Sequence, residues 1–208
     1  MRTVAIASQK GGSGKTTLAV GLAVAAVRAG MSTLILDLDP QCSASVWADR
    51  RKTDHPTVTS IQAARLAHAL RAAEGAGADL ILIDTAPAIG DAALAAAQAA
   101  DMILIPCRPA LFDIAAIGAT AGIAKLAERP AVAILNAVSP GATRLVDDAR
   151  QAVAAHGLAI APIVISQRAA YAHALTAGLS AEEFEPSGRA ADEIKRLYRW
   201  LSGELMPS

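Results

Sequence analysis

Aromatic residues are scarce in this 208-residue sequence: two Trp, two Tyr and two Phe make up 3% of a chain that is 53% hydrophobic. Much of the apolar content is alanine, which favours closely packed helices. Cysteine is equally sparse. Cys42 and Cys107 stand far apart with no Cys-x-x-Cys spacing, which excludes a disulfide framework or a four-cysteine zinc site and reads as small buried thiols. Long apolar runs are missing too. The longest, Leu18–Val27 and Ala92–Ala100, are too short to cross a bilayer, and Val4–Ala7 gives way to Lys10 before it makes a signal-peptide core. A cytoplasmic location is expected. Finally, there is no net charge, because 19 Lys plus Arg balance 19 Asp plus Glu. Any nucleic-acid contact must then come from a local patch rather than from global attraction.

What is present is a regular alternation. Short β-branched or leucine-rich runs occur at Thr3–Ala7, Thr33–Leu36, Leu80–Ile83, Met102–Ile105, Ala131–Leu135 and Ala159–Ile165, each followed by a stretch of helical character. This pattern predicts an α/β fold, a doubly wound, mostly parallel sheet with helices on both faces. The length suits one domain over residues 1–208. Flexible stretches are expected at Arg51–Thr57 and Glu182–Gly188. A closing helix is expected over Ser187–Leu205, with Ile194, Leu197, Leu201 and Leu205 on one face for docking on the sheet. Ligands of such sheets sit at the carboxyl ends of the strands, so the residues after each run carry the chemistry.

After the first run comes Lys10-Gly11-Gly12-Ser13-Gly14-Lys15-Thr16-Thr17. A glycine-rich turn between strand and helix presents backbone N–H groups to a phosphate chain, with Lys15 neutralising charge and the Thr16 hydroxyl ligating Mg²⁺. ATP and Mg²⁺ are the expected cofactors. The usual P-loop pattern wants glycine at position 9, where Gln9 stands, and a second lysine, Lys10, opens the loop instead. After the second run, Asp37 and Asp39 lie two residues apart and can face the same way on an extended segment. One suits the Mg²⁺ environment and the other an attacking water. The run Leu80–Ile83 ends in Asp84-Thr85-Ala86-Pro87, an arrangement that brings an acid to a metal shell and makes Thr85–Asp91 a loop for sensing the γ-phosphate. Asn136 follows Ala131–Leu135, and its amide suits the edge of an adenine.

The loop Lys10–Thr17, the Asp37-x-Asp39-Pro40-Gln41 segment and the strand ending in Asp84-Thr85-Ala86-Pro87 resemble the deviant Walker A, Walker A′ and Walker B motifs of the ParA/MinD ATPases. Ala100–Pro106, Gln167–Tyr171 and Ala190–Ile194 extend the similarity along nearly the whole chain. The short partition ATPases of the ParF type are the most similar group. The resemblance implies a homodimer closed over two ATP molecules, with Lys10 reaching the partner's phosphates. It also implies that Asp39 orients the water, that Thr16, Asp37 and Asp84 surround Mg²⁺, and that Asn136 contacts adenine. Two departures stand out: Cys42 occupies a place where glycine is frequent, and Ala86 one where proline is common.

For such a family, hydrolysis is a release timer. The ATP dimer binds DNA non-specifically on the nucleoid and lets go when a ParB-like centromere-binding or adaptor protein stimulates turnover, so that plasmid, chromosome or protein cargo is positioned. Arg144, Arg168, Arg189, Lys195, Arg196 and Arg199 are the DNA-contacting candidates. No membrane partner is expected. Two alternatives share the nucleotide chemistry: a MinD-like membrane-associated ATPase, which wants a more lipophilic tail than Gly203–Ser208, and a small-molecule ATP-dependent ligase, against which Lys10 and Asp-Pro-Gln argue.

Overall fold

The computed structural model describes residues 1–88 and 90–205; Ile89, inside the expected sensing loop, and residues 206–208 of the tail lie outside them. Seven strands form one sheet: β1 (Arg2–Ile6), β2 (Thr33–Asp37), β3 (Thr57–Ser60), β4 (Leu80–Asp84), β5 (Met102–Cys107), β6 (Ala131–Leu135) and β7 (Ala159–Ile160). Their order is β3-β2-β4-β1-β5-β6-β7, and every pairing is parallel. The expected doubly wound parallel sheet is what the chain forms. Central strands buried on both faces explain why these runs read as continuously apolar rather than alternating.

Successive side chains of one strand enter opposite layers. Leu80 and Leu82 join Ile6, Leu104 and Ile134 under α1 (Lys15–Arg28), whereas Ile81 and Ile83 join Ile103 and Ile105 on the other face. The second layer is completed by α3 (Leu66–Gly75), α4 (Asp91–Ala99), α5 (Leu111–Leu126) and α6 (Thr143–Ala155). The remaining helices are α2 (Ser43–Ala48), α7 (Ala169–Thr176), α8 (Ala181–Phe184) and α9 (Arg189–Leu205). The alanine bias shows its purpose between α1 and α9. A Cβ on Gly21 would fall 3.0 Å from Ile194 Cδ1, so small residues on α1 let α9 approach closely. Ile194, Leu197, Leu201 and Leu205 are all buried there, which leaves the apolar face of α9 in the core and not on a lipid surface.

Three expectations are corrected. Thr57–Ser60, at the border of an expected flexible stretch, is the edge strand β3, pairing Leu34 with Thr57 through Asp37 with Ser60. A four-residue, largely exposed edge strand needs no apolar run to mark it. The run Ala159–Ile165 pairs only at Ala159–Ile160; Pro162 has no N–H for a ladder, and pairing resumes as a single bridge from Val138 to Ser166. Glu182–Gly188 is partly helical rather than flexible. Ser180 and Glu183 cap α8 reciprocally, and Glu183 is bound by Arg51 at 2.8 Å.

Candidate functional site

The carboxyl ends of β1, β2 and β4 meet at one cleft of about 580 Å³, lined among others by Gly11, Gly12, Gly14, Lys15, Thr16 and Thr17 on one side and Asp39 and Gln41 on the other. The loop turns through two left-handed glycines, Gly12 (φ 69°) and Gly14 (φ 96°), a conformation that costs other residues about 1–2 kcal/mol. Ser13 is buried, and Lys15 opens α1 with its ammonium donating to the Lys10 carbonyl at 3.3 Å. The loop is closed upon itself.

Register brings the two strand-end acids together. Asp37 and Asp84 are direct partners across β2 and β4, and both are wholly buried. Thr16 Oγ1 donates to Asp84 Oδ2 at 2.7 Å, while Asp84 Oδ1 has no partner. Burial, helped by the charge of Asp37 and opposed by the Thr16 hydrogen bond and Lys15, pushes the Asp84 carboxyl up to about 7. Asp37 is better served: its Oδ2 accepts from the Ser45 amide and hydroxyl at 3.1 and 3.2 Å, and its Oδ1 from the Asp39 amide at 3.1 Å. Burial likewise lowers the Lys15 pKa, against the attraction of Asp84 and Asp39.

An orphaned carboxylate oxygen beside a hydroxyl and a second buried acid fits a divalent cation. No group of three His, Cys, Asp or Glu among the described residues makes a metal cage. Mg²⁺ takes one or two protein ligands and completes its octahedron with water and phosphate oxygens. Thr16 and Asp84 would hold such an ion, with Asp37 beside Asp84 across the strand pairing.

Asn136 stands just past the end of β6, against the phosphate loop. It is buried, its Nδ2 donates to the Ser13 carbonyl, and it does not line the cleft. Its donor braces the phosphate loop, and a Cβ on Gly14 would overlap that Nδ2. Gly14→Ala is therefore expected to weaken nucleotide binding about tenfold or more through backbone strain and this clash. Titration with a fluorescent ATP analogue checks it. Asn136→Ala in the same chain should restore part of the affinity by removing the clash while the strain at φ 96° stays.

Several residues of the site were not picked out from sequence. Arg108, just beyond β5, is exposed and its Nη2 donates to the Gly12 carbonyl at 2.7 Å. The strand-end rule finds it once β5 is carried through Pro106 and Cys107. Ser45, Trp47 and Arg50 of α2 and its end, and Leu175 and Thr176 of α7, reach the site only through tertiary packing. Cys42 sits at φ 51°, which explains why glycine suits that place; the thiol lies 3.3 Å from Ser60 Oγ.

The DNA candidates divide. Arg168 is half-buried and gives Glu193 two hydrogen bonds, at 2.7 and 3.1 Å. Burial alone would raise Glu193, yet Arg168, Ser166 and Tyr171 hold it below the usual carboxylate range. Arg196 pairs with Asp192 at 3.0 Å, and Lys195 donates to the Pro186 carbonyl at 2.9 Å with Glu182 3.8 Å away. Arg144, Arg189 and Arg199 are exposed and form no ion pair among the described residues. Lys10 likewise has no side-chain partner among them, although Lys15 already serves the same loop. No helix among the described residues is long and apolar enough to cross a membrane.

The chain is 46% identical over 99 residues to the maintenance of carboxysome distribution protein A of Gloeobacter kilaueensis, covering 46% of this chain and 43% of that protein. It is 51% identical over 45 residues to the chromosome-partitioning ATPase Soj of Thermus thermophilus, 22% of this chain and 18% of that one. The matched stretches thus span less than half of either relative. In fold, it is similar to the septum site-determining protein MinD complexed with Mg-ADP from Pyrococcus horikoshii, with a TM-score of 0.80 at 18% identity, covering 100% of this chain and 99% of that one. The family model described as the CobQ/CobB/MinD/ParA nucleotide binding domain matches residues 4–181. With its phosphate loop, strand-end acids and parallel sheet accounted for, the chain belongs to the CobQ/CobB/MinD/ParA family of nucleotide-binding domains.

Proposed function

We propose that this chain is a positioning ATPase whose ATP-bound form is a homodimer. The observation that carries the reading is Lys10: a cation with no side-chain partner among the described residues, at the first position of a phosphate loop that already holds Lys15. A preplaced cation facing the phosphates of a second copy stabilises charge that develops on phosphoryl transfer. In this reading the loop amides and Lys15 bind ATP, Thr16 and Asp84 hold Mg²⁺ with Asp37, and Asp39, at the cleft wall, orients the attacking water. Mg²⁺, when bound, neutralises charge on the phosphate oxygens. Asn136 supports the loop through its hydrogen bond to the Ser13 carbonyl, and in this reading its remaining amide oxygen is the group offered to the adenine.

The similarity to a carboxysome-distribution protein and a chromosome-partitioning ATPase supports a task in moving cargo. We infer that the ATP dimer binds DNA without sequence preference, associates with the nucleoid in the cytoplasm, and is released when a ParB-like or adaptor protein stimulates hydrolysis. The membrane alternative has less support, since the apolar face of α9 is occupied by the core.

Co-sedimentation with DNA or with anionic liposomes, with and without ATP, tests the proposal. ATP-dependent recovery with DNA alone is expected; recovery with liposomes alone favours a membrane protein, and with neither refutes cargo positioning by this route. Asp39→Ala should bind ATP normally, remain dimeric on a sizing column and hydrolyse at least ~100-fold more slowly, the range of a positioned proton acceptor. Turnover at the parental rate would remove Asp39 from the chemistry.

A further inference from the structure

Three of the six cations first read as DNA contacts are held by this chain's own acids, Arg144, Arg189 and Arg199 stay exposed and unpaired among the described residues, and a further group of cations surrounds a hollow elsewhere on the chain. We infer that the hollow at the opposite end of the sheet from the nucleotide cleft is a binding site for the phosphate groups of a nucleic-acid backbone. It measures about 450 Å³ and lies between α5, the first residue of β6 and the turn that follows α6. Lys125 in the last turn of α5, Arg129 just beyond it and His156 at the end of α6 surround it, all exposed, and no carboxylate lines it. Arg129 is steadied by a hydrogen bond to the Gln98 carbonyl at 3.1 Å.

The floor of the hollow is nearly bare backbone, supplied by Gly118, Ala121 and Gly122. His156 lies directly against it: a Cβ on Gly118 would fall 3.0 Å from the imidazole Nδ1. At Gly122 nothing lies within 4 Å of a Cβ, so packing does not require glycine there. Glycine weakens a helix interior, and its effect at this position is to keep the hollow open. Cations at helix C-termini also complement the helix dipole, which accounts for each charge singly but not for the cleared floor between them. Two permanent cations and an imidazole around a concave, carboxylate-free surface match phosphate oxygens in charge and hydrogen-bonding capacity. Because the hollow is at the amino ends of the strands, a second copy closing over the nucleotide cleft leaves it accessible.

The natural ligand rests on the DNA-binding reading above, and the test separates the two. Binding of a labelled random-sequence duplex by the full chain, saturated with ATP, is measured against salt concentration. Lys125→Ala/Arg129→Ala should flatten the log–log slope by roughly 0.9 for each phosphate no longer neutralised and weaken binding about tenfold, while hydrolysis stays unchanged. Gly122→Leu, which fills the hollow without altering charge, should weaken binding severalfold. Arg196→Ala should change neither. If the parent binds DNA and the double variant keeps the parental slope, the hollow is not the site and the DNA reading stands. If the parent does not bind DNA, that reading falls, and the hollow is decided by NMR of the His156 ring titrated with pyrophosphate while an ATP analogue fills the phosphate loop. A saturable shift that is absent from the double variant keeps a phosphate site for a free phosphate compound; no shift overturns it. Displacement by polyglutamate as effective as by duplex, with an unchanged salt slope, would assign the hollow to an acidic protein and overturn the proposal as well.

Discussion

Lys15→Ala is expected to reduce ATP affinity by roughly 10- to 100-fold, whereas Lys10→Ala should bind ATP within about twofold of the parent and fail to dimerise. A hydrogen bond to a charged group contributes about 1.5–3 kcal/mol, and each 1.4 kcal/mol is tenfold in affinity. Lys15 stands inside the loop, where it would meet the phosphates of its own protomer, so its removal acts on binding. Lys10 opens the loop with no side-chain partner among the described residues, so under the proposed dimer its removal acts on the encounter with a second copy. Calorimetric titration with an ATP analogue reads the first effect, and analytical ultracentrifugation with ATP reads the second. A Lys10→Ala chain that dimerises and turns over normally would end its role across the interface. The fold should survive Lys15→Ala: burial disfavours this ammonium, so at neutral pH the charged lysine opposes folding, and the nucleotide-free variant should melt no lower than the parent. The lysine serves the ligand at the expense of the apo protein, as functional residues often do.

Glu183→Ala is expected to destabilise the protein by about 3 kcal/mol, the lower end for breaking a buried ion pair. Arg51 is only 4% exposed and Glu183 18%. The guanidinium also donates to the Gly178 and His55 carbonyls and lies 4.4 Å from the Trp47 ring. Removing the carboxylate leaves a cation already buried with Nε unpartnered. In a chain of this length the destabilisation should lower the melting temperature by roughly 6–12 °C. Arg196→Ala, by contrast, breaks an exposed pair with Asp192 and should stay within about 0.5 kcal/mol. The pH dependence has a definite sign. Burial would raise Glu183, but hydrogen bonds from Arg51 and Ser180 hold it below its ordinary value of 4.5. The folded state then binds fewer protons than the unfolded one, so this contribution is complete above about 4.5 and disappears as pH falls through the lower folded value. The parent should lose stability across that window, and the Glu183→Ala chain should lose less.

These two effects differ in how far the sequence foretells them. Lys15 and Lys10 belong to one local turn, where glycine spacing dictates backbone conformation. Arg51 and Glu183 stand 132 residues apart, and each lies in a stretch that reads as flexible because neither has an apolar pattern. Arg168 and Glu193 are likewise 25 residues apart; read alone, Arg168 is a surface cation suited to DNA, and folded, it is part of a buried network.

By itself, the sequence determined the parallel sheet, through apolar runs that only a doubly covered strand requires. It also determined the phosphate loop and the acids at the strand ends, because strand direction carries those residues to one edge. Tertiary structure alone decided that Asp37 and Asp84 lie side by side, that Asn136 donates to the Ser13 carbonyl of the loop, that Arg108 rests on Gly12, and which basic residues pair with acids. The reason is physical: local pattern governs backbone conformation over a few residues, whereas charge pairing and burial depend on which surfaces the fold brings together. Lys10 shows the limit of both, since it finds no side-chain partner among the described residues of its own chain and its proposed role belongs to a surface that two chains would share.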